Sequence, residues 1–286
     1  MTEQAVLFGS TGSLVGVVTS TAVDVGRGRL PNVVLLNAGL LHRIGPNRTY
    51  VKLIRRLSQL GMTGLRFDLS GIGDSRAATD GLSEPESRLR DMREAMDMLA
   101  AKTGEDRFIL GGLCDGAVSA FAAARVDPRV VGMILIDAFP YRTFGYFVRH
   151  YRDRFFRAQS WLNLLTGRHP LTSWIRGVQN EDSNRPTDIF PPTSEVEIMY
   201  RELIDRGVHS LVIFPGDGTF NDRRQFGEMF PSIATDDHVQ LEYLEDTNHT
   251  FVVLKHQEDL IRCVEQWISR VDWPQEVSSA QAEQQG

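Results

Sequence analysis

The chain is poor in cysteine, carries no apolar run long enough to cross a bilayer and has no surplus of basic residues. Each shortage excludes something. Two cysteines, Cys114 and Cys263, cannot build a disulfide framework and fit a reducing compartment. A membrane-spanning helix needs about 20 mostly apolar residues in a row, and the N-terminus MTEQAVLFGS lacks the basic-then-apolar pattern of an export signal. The expectation is a soluble cytoplasmic protein with no membrane span. A net charge of -6 argues against general nucleic-acid binding. The seven histidines are scattered without metal-ligand spacing, so neither a metal nor a cofactor is expected. The oligomeric state stays open, a homo-oligomer included.

What is present is enough apolar material, 42% of 286 residues, for one large α/β domain or a domain with an insertion. Strand and helix patterns alternate through most of the chain, which predicts a doubly wound, mostly parallel sheet. The first glycine-rich stretch, Val6 to Gly16, resembles a dinucleotide-binding turn. A β-branched run follows it where such a turn needs a helix, so a hairpin looped over Gly9 to Ser13 fits better. Val33 to Leu36 reads as a strand buried on both faces, followed by a helix with Tyr50, Leu53, Ile54, Leu57 and Leu60 on one side. Gly64 to Ser75 is a strand and a glycine-rich turn in which Arg66 and Asp68 are expected to form ion pairs. Ser83 caps a helix from about Glu84 to Lys102. Val130 to Phe139 holds a further apolar strand.

At Pro140 the alternation stops. From there to Arg176 the chain holds nine aromatic residues, seven arginines and a single acid, Asp153. Such an insertion predicts a cap over residues 140–192, between core segments 1–139 and 193–273. Phe144, Phe147, Tyr151 and Trp161 are its candidate substrate-lining residues, and its arginines suit an anionic partner. The plainer alternative is that the aromatics pack cap onto core. A helix over Ser194 to Arg206, a strand from His209, a last strand from Val239 and a last helix bearing a half-buried Cys263 complete the core. Residues 274–286, rich in Gln, Ser, Ala and Glu, read as a disordered tail.

The chemistry centres on RFILGGLCDGAVSAFAAA, Arg107 to Ala124. Phe108 to Leu110 predicts a buried strand and Ala117 to Ala124 a helix, with Gly111, Gly112, Leu113, Cys114, Asp115 and Gly116 between them. This is the G-x-S-x-G pattern of a nucleophile elbow with cysteine in place of serine. Gly112 and Gly116 let strand and helix approach closely, and the helix N-terminus favours negative charge at Cys114. The bland alternative is a small buried cysteine in a glycine-rich turn. A thiol nucleophile needs a base, and the base needs a carboxylate. His249 in TNHTF lies after the last strand and is the candidate base. Asp217 in FPGD lies after the preceding strand and is the candidate acid, with Asp222 and Asp137 as runners-up.

NAGLLHRIGPNR (Asn37 to Arg48), LRFDLSGIGDS (Leu65 to Ser75), GLCDGA (Gly112 to Ala117) and DTNHTF (Asp246 to Phe251) resemble the α/β-hydrolase superfamily. The likeness is to the branch of serine-aminopeptidase-like and exosortase-associated hydrolases, and Trp161 to Gly167 is similar as well. The resemblance implies a hydrolase or acyl-transfer fold with Cys114, Asp217 and His249 as triad. It also implies an oxyanion hole built from backbone N–H groups of Gly39 or Leu40 and of Asp115. Many relatives carry serine at the nucleophile position, so cysteine shifts the expectation toward thioesters or activated esters. The leading expectation is a cysteine-dependent thioesterase or acyltransferase with a donor on phosphopantetheine or coenzyme A. Its rivals are an ester or lactone hydrolase like the dienelactone hydrolases and a non-catalytic acyl-binding protein.

Overall fold

An eight-stranded sheet runs through the molecule in the order β1-β2-β4-β3-β5-β6-β7-β8. The computed structural model describes residues 1–20, 30–139, 141–143, 145–146, 191–217, 220 and 222–274. The strands are β1 (Thr2–Phe8), β2 (Leu14–Ser20), β3 (Asn32–Leu36), β4 (Gly64–Asp68), β5 (Phe108–Leu113), β6 (Val130–Ile136), β7 (His209–Pro215) and β8 (Val239–Leu244). β1 and β2 form an antiparallel hairpin in which Phe8 pairs with Leu14, closed by Gly12 N–H donating to the Gly9 carbonyl. The dinucleotide-turn alternative is thereby excluded at this stretch, because no helix follows the glycines to hold a pyrophosphate. β2 pairs antiparallel with β4, and every later pairing is parallel.

The crossovers between parallel strands are helical, as the doubly wound pattern requires. Helices α1 (Thr49–Gln59), α2 (Glu84–Thr103), α3 (Asp115–Val126), α4 (Thr193–Asp205), α5 (Gln225–Met229) and α6 (Leu254–Arg270) are described. α2 starts where the sequence places its cap: Ser83 N–H donates to Glu86 Oε2 at 3.0 Å, half of a capping box. The short α5 has no strong sequence signal, since one turn and a half is too brief to show a helical period.

Alternate residues of the central strands face opposite ways and feed two cores. Val34, Leu36, Leu110 and Leu135 pack with α2, α3 and α4, whereas Val33, Leu35, Ile109 and Ile134 pack with α1 and α6. Both faces are covered, and these strands are buried at every position. The chain leaves β3 toward β4 and returns on the other side to β5, so a crevice opens at the carboxyl ends of β3 and β5.

Arg66 and Asp68 do form ion pairs, though with distant partners. Arg66 meets Glu3 at 3.0 Å, and Asp68 meets Arg43 at 2.5 Å. Glu3 is held down to about 2 chiefly by its hydrogen bond from Arg55, with Arg66 adding to it against the cost of burial. Cys263 is half-buried on α6 with its thiol pushed up to about 11, mainly by burial, in line with a packing role. Phe144, Phe147, Tyr151 and Trp161, and most of the 140–192 stretch with them, lie outside the described residues, as do 275–286.

Candidate active site

Cys114 stands alone between β5 and α3 with φ 55° and ψ -115°, a backbone state that L-residues rarely adopt. The surroundings hold it there. Cys114 N–H donates to the Ile136 carbonyl at 2.8 Å, and Leu113 N–H donates to the Tyr50 hydroxyl at 2.8 Å. A Cβ on Gly112 would lie 2.5 Å from the carbonyl carbon of Gly116, and a Cβ on Gly116 would lie 2.6 Å from the Asn37 carbonyl oxygen. Strand, helix and the loop after β3 therefore meet at contacts that only glycine permits. The thiol is exposed.

His249 lies in the loop between β8 and α6. Phe251 N–H donates to the Asn248 carbonyl at 3.0 Å, and Asn47 Nδ2 donates to the Thr250 carbonyl at 2.9 Å, so the loop is pinned from within and from the β3 side. The imidazole bonds the Asp137 carboxylate through Nδ1, and the Cys114 thiol is near enough to act on its titration. The hydrogen bond to Asp137, then the interaction with Cys114, pushes His249 up to about 10, against the opposing effect of burial.

The expected partnership of His249 with Asp217 is corrected here. Asp217 Oδ1 accepts the backbone N–H of His249 at 2.9 Å, and the Asp217 N–H donates to the Thr247 carbonyl at 3.3 Å. Its carboxylate thus holds the loop and not the ring. Gly216 explains the approach: a Cβ there would overlap the Glu245 carbonyl, so the ends of β7 and β8 close together and aim Asp217 at the loop backbone. Asp222 is turned to Arg224, meeting its guanidinium at 2.7 Å. Asp137 reaches the ring because β6 ends beside the elbow strand and its last turn places Asp137 at φ 49°, with its N–H donating to the Ile213 carbonyl at 2.8 Å. Nucleophile, acid and histidine keep the same chain order with either aspartate, so order alone does not choose between them.

The backbone groups expected to bind an oxyanion lie at the start of α3 and in the turn after β3. Asp115 opens α3, where N–H groups have no carbonyl one turn earlier to bond within the helix. Its carboxylate points elsewhere, to Arg88 Nη1 at 2.5 Å. Gly39, at φ 57°, and the exposed Leu40 occupy a turn closed by Leu41 N–H to the Ala38 carbonyl at 3.1 Å. Among the described residues, His42, Asp68 and Asp74 bring potential metal ligands within 4.8 Å of one another. Arg43 Nη1 sits among them, 2.5 Å from Asp68, 2.8 Å from Asp74 and 2.7 Å from His42, so the chain supplies its own cation there.

No family model matches the chain, and no curated protein matches it. Solved structures do. The chain is similar to an α/β serine hydrolase without a lid from Xanthomonas campestris, at 17% identity over 93% of this chain and 94% of that one, with a TM-score of 0.54. It is similar to an α/β serine hydrolase homologue from Coxiella burnetii, at 12% identity over 91% and 96% of the two chains, TM-score 0.53. The meta-cleavage product hydrolase of Pseudomonas fluorescens gives 17% identity, 93% and 97% coverage and a TM-score of 0.54. At such identities the likeness establishes architecture, and the architecture is the α/β-hydrolase fold.

Proposed function

We propose that this α/β-hydrolase fold serves a cysteine-dependent acyl-transfer enzyme acting on a thioester or activated ester through an acyl-Cys114 intermediate. The observation that carries the reading is the His249 ring, bonded through Nδ1 to Asp137 and close enough to the Cys114 thiol for the two to interact. Cys114 is the nucleophile, His249 the proton carrier and Asp137 the carboxylate that orients the ring and stabilises its charge. Sulfur attacks the carbonyl carbon, and the N–H groups of Asp115 and of Gly39 or Leu40 receive the developing oxyanion. The donor thiolate then leaves and takes the proton from His249. Water, or an alcohol or amine acceptor, returns a proton to His249 as it attacks the acyl-Cys114 carbonyl, which frees the product and restores the sulfur.

Thioesters are the preferred substrates on energetic grounds. A thiolate leaves a tetrahedral intermediate more easily than an alkoxide, so attack on an ordinary ester collapses backwards, whereas a thioester exchanges one sulfur for another. A donor carried on phosphopantetheine or coenzyme A fits this chemistry, and the seven arginines between residues 140 and 176 offer charge for its phosphates. Intact-mass analysis after mixing with a panel of acyl thioesters is the test. An acyl adduct that disappears in Cys114→Ala is expected, and no adduct across a broad panel would overturn the proposal.

The serine hydrolases among the structural neighbours favour one second reading, an ester or lactone hydrolase of the dienelactone-hydrolase kind. Turnover of matched oxyesters and thioesters separates the two. Preference for oxyesters in the wild type, retained in Cys114→Ser, would select it.

A further inference from the structure

Two buried polar side chains beside the elbow have no part in the triad. Asn37 follows β3 and is 1% exposed, and Asp68, which ends β4, is fully buried. Asn37 Oδ1 accepts the Leu69 N–H at 2.9 Å, while its Nδ2 donates to Asp68 Oδ1 at 3.0 Å and to the Leu41 carbonyl at 2.8 Å. Asp68 accepts in addition from Arg43 N–H at 2.6 Å, Arg43 Nη1 at 2.5 Å and Asp74 N–H at 3.1 Å. A Cβ on Gly73, at φ 54°, would lie 2.3 Å from the Asp68 carboxylate, so the 71–74 turn closes over that group only with glycine. An amide and a carboxylate in a dry site are costly unless they are hydrogen-bonded, and here their partners come from the loop after β3 with Arg43 and from the turn after β4.

That loop, residues 38–41, is the one that carries the Gly39 and Leu40 N–H groups. Its internal backbone bonding among the described residues is the single contact from Leu41 N–H to the Ala38 carbonyl. Asn37 grips its far end through the Leu41 carbonyl, and Asp68 grips Arg43 just beyond it. The near end is fixed where the Asn37 carbonyl meets Gly116 of the elbow helix. We infer that Asn37 and Asp68 are positioning residues for acyl transfer: they hold the 38–41 loop so that its N–H groups face the carbonyl oxygen of an acyl group on Cys114. This rests on the acyl-transfer reading above, and it assigns to that site a support that touches neither sulfur nor imidazole.

Two reactions of the same sulfur test it. Alkylation of Cys114 by iodoacetamide forms no oxyanion, whereas acylation by a thioester does. Asn37→Leu keeps the size and removes all three hydrogen bonds; Asp68→Asn keeps the shape and removes the charge. Loss of one oxyanion donor typically costs a factor of 10² to 10³, so single-turnover acylation is expected to slow by about 100-fold in Asn37→Leu while alkylation stays within about twofold of the wild type. Asp68→Asn shows the same split to a smaller degree. Should Asn37→Leu fail to fold by circular dichroism, Asn37→Ser replaces it with the same split expected. Unchanged acylation in folded variants, or equal slowing of both reactions, overturns the inference alone. A wild type that forms no acyl adduct overturns the acyl-transfer reading and this inference together.

Discussion

The Asp137 carboxylate bonds His249 through Nδ1 although β6 and β8 are separated in the sheet by β7. The carboxylate at the ring thus comes from the strand beside that of Cys114, and the aspartate nearer the histidine along the sheet, Asp217, supports the loop backbone.

That division of labour predicts unequal mutants. Asp137→Asn removes the charge opposite the imidazole and is expected to lower kcat for thioester turnover by about 10²- to 10⁴-fold, the range seen when a triad acid is neutralised. Asp217→Asn still accepts the His249 N–H and is expected to stay within about tenfold. Comparable losses in both would refute the assignment of Asp137.

The raised His249 titration sets a pH dependence. Its ordinary value is 6.5 and its folded value about 10, so the folded chain binds this proton more tightly than the unfolded one. The resulting stabilisation is complete below pH 6.5 and is lost as pH rises through about 10. By NMR the His249 ring should keep the imidazolium shift through pH 8. In Asp137→Asn, which lacks the largest cause, the titration should move down; an unmoved midpoint would contradict the pairing.

Backbone strain at Cys114 gives a stability prediction. Glycine adopts φ 55°, ψ -115° freely, whereas alanine does not. Cys114→Gly should therefore be more stable than Cys114→Ala by about 1 kcal/mol, within the usual range for strained backbone. Urea midpoints with equal m-values measure this, and an alanine variant as stable as the glycine one would mean the elbow stores no strain.

Gly116→Ala tests the seam between helix and loop. Its methyl would stand 2.6 Å from the Asn37 carbonyl and 2.7 Å from that of Leu36, both backbone atoms with little freedom to move. A destabilisation of about 1 to 3 kcal/mol is expected from this overpacking, accompanied by slower acylation as helix and loop separate. Wild-type stability would show that the seam yields.

Much of this was legible in the chain itself. The hairpin over Gly9 to Ser13, the strands β3 to β6, the Ser83 cap and the elbow around Cys114 are all local patterns, in which neighbours in sequence are neighbours in space. The choice of acid was not legible, because Asp137 and Asp217 both follow strands and both lie between Cys114 and His249. Nor was Asn37: a lone amide after a strand resembles a loop residue until Asp68, 31 positions away, is seen against it.

From the residues alone came the doubly wound sheet, the position of the sulfur on its turn and the loop that bears the imidazole, since apolar period and glycine placement act over a few residues. The tertiary structure decided which carboxylate meets the ring and which polar groups brace the 38–41 loop. Those outcomes depend on how strand ends from distant parts of the chain line up across the sheet, and only glycines at the contact points let them come that close.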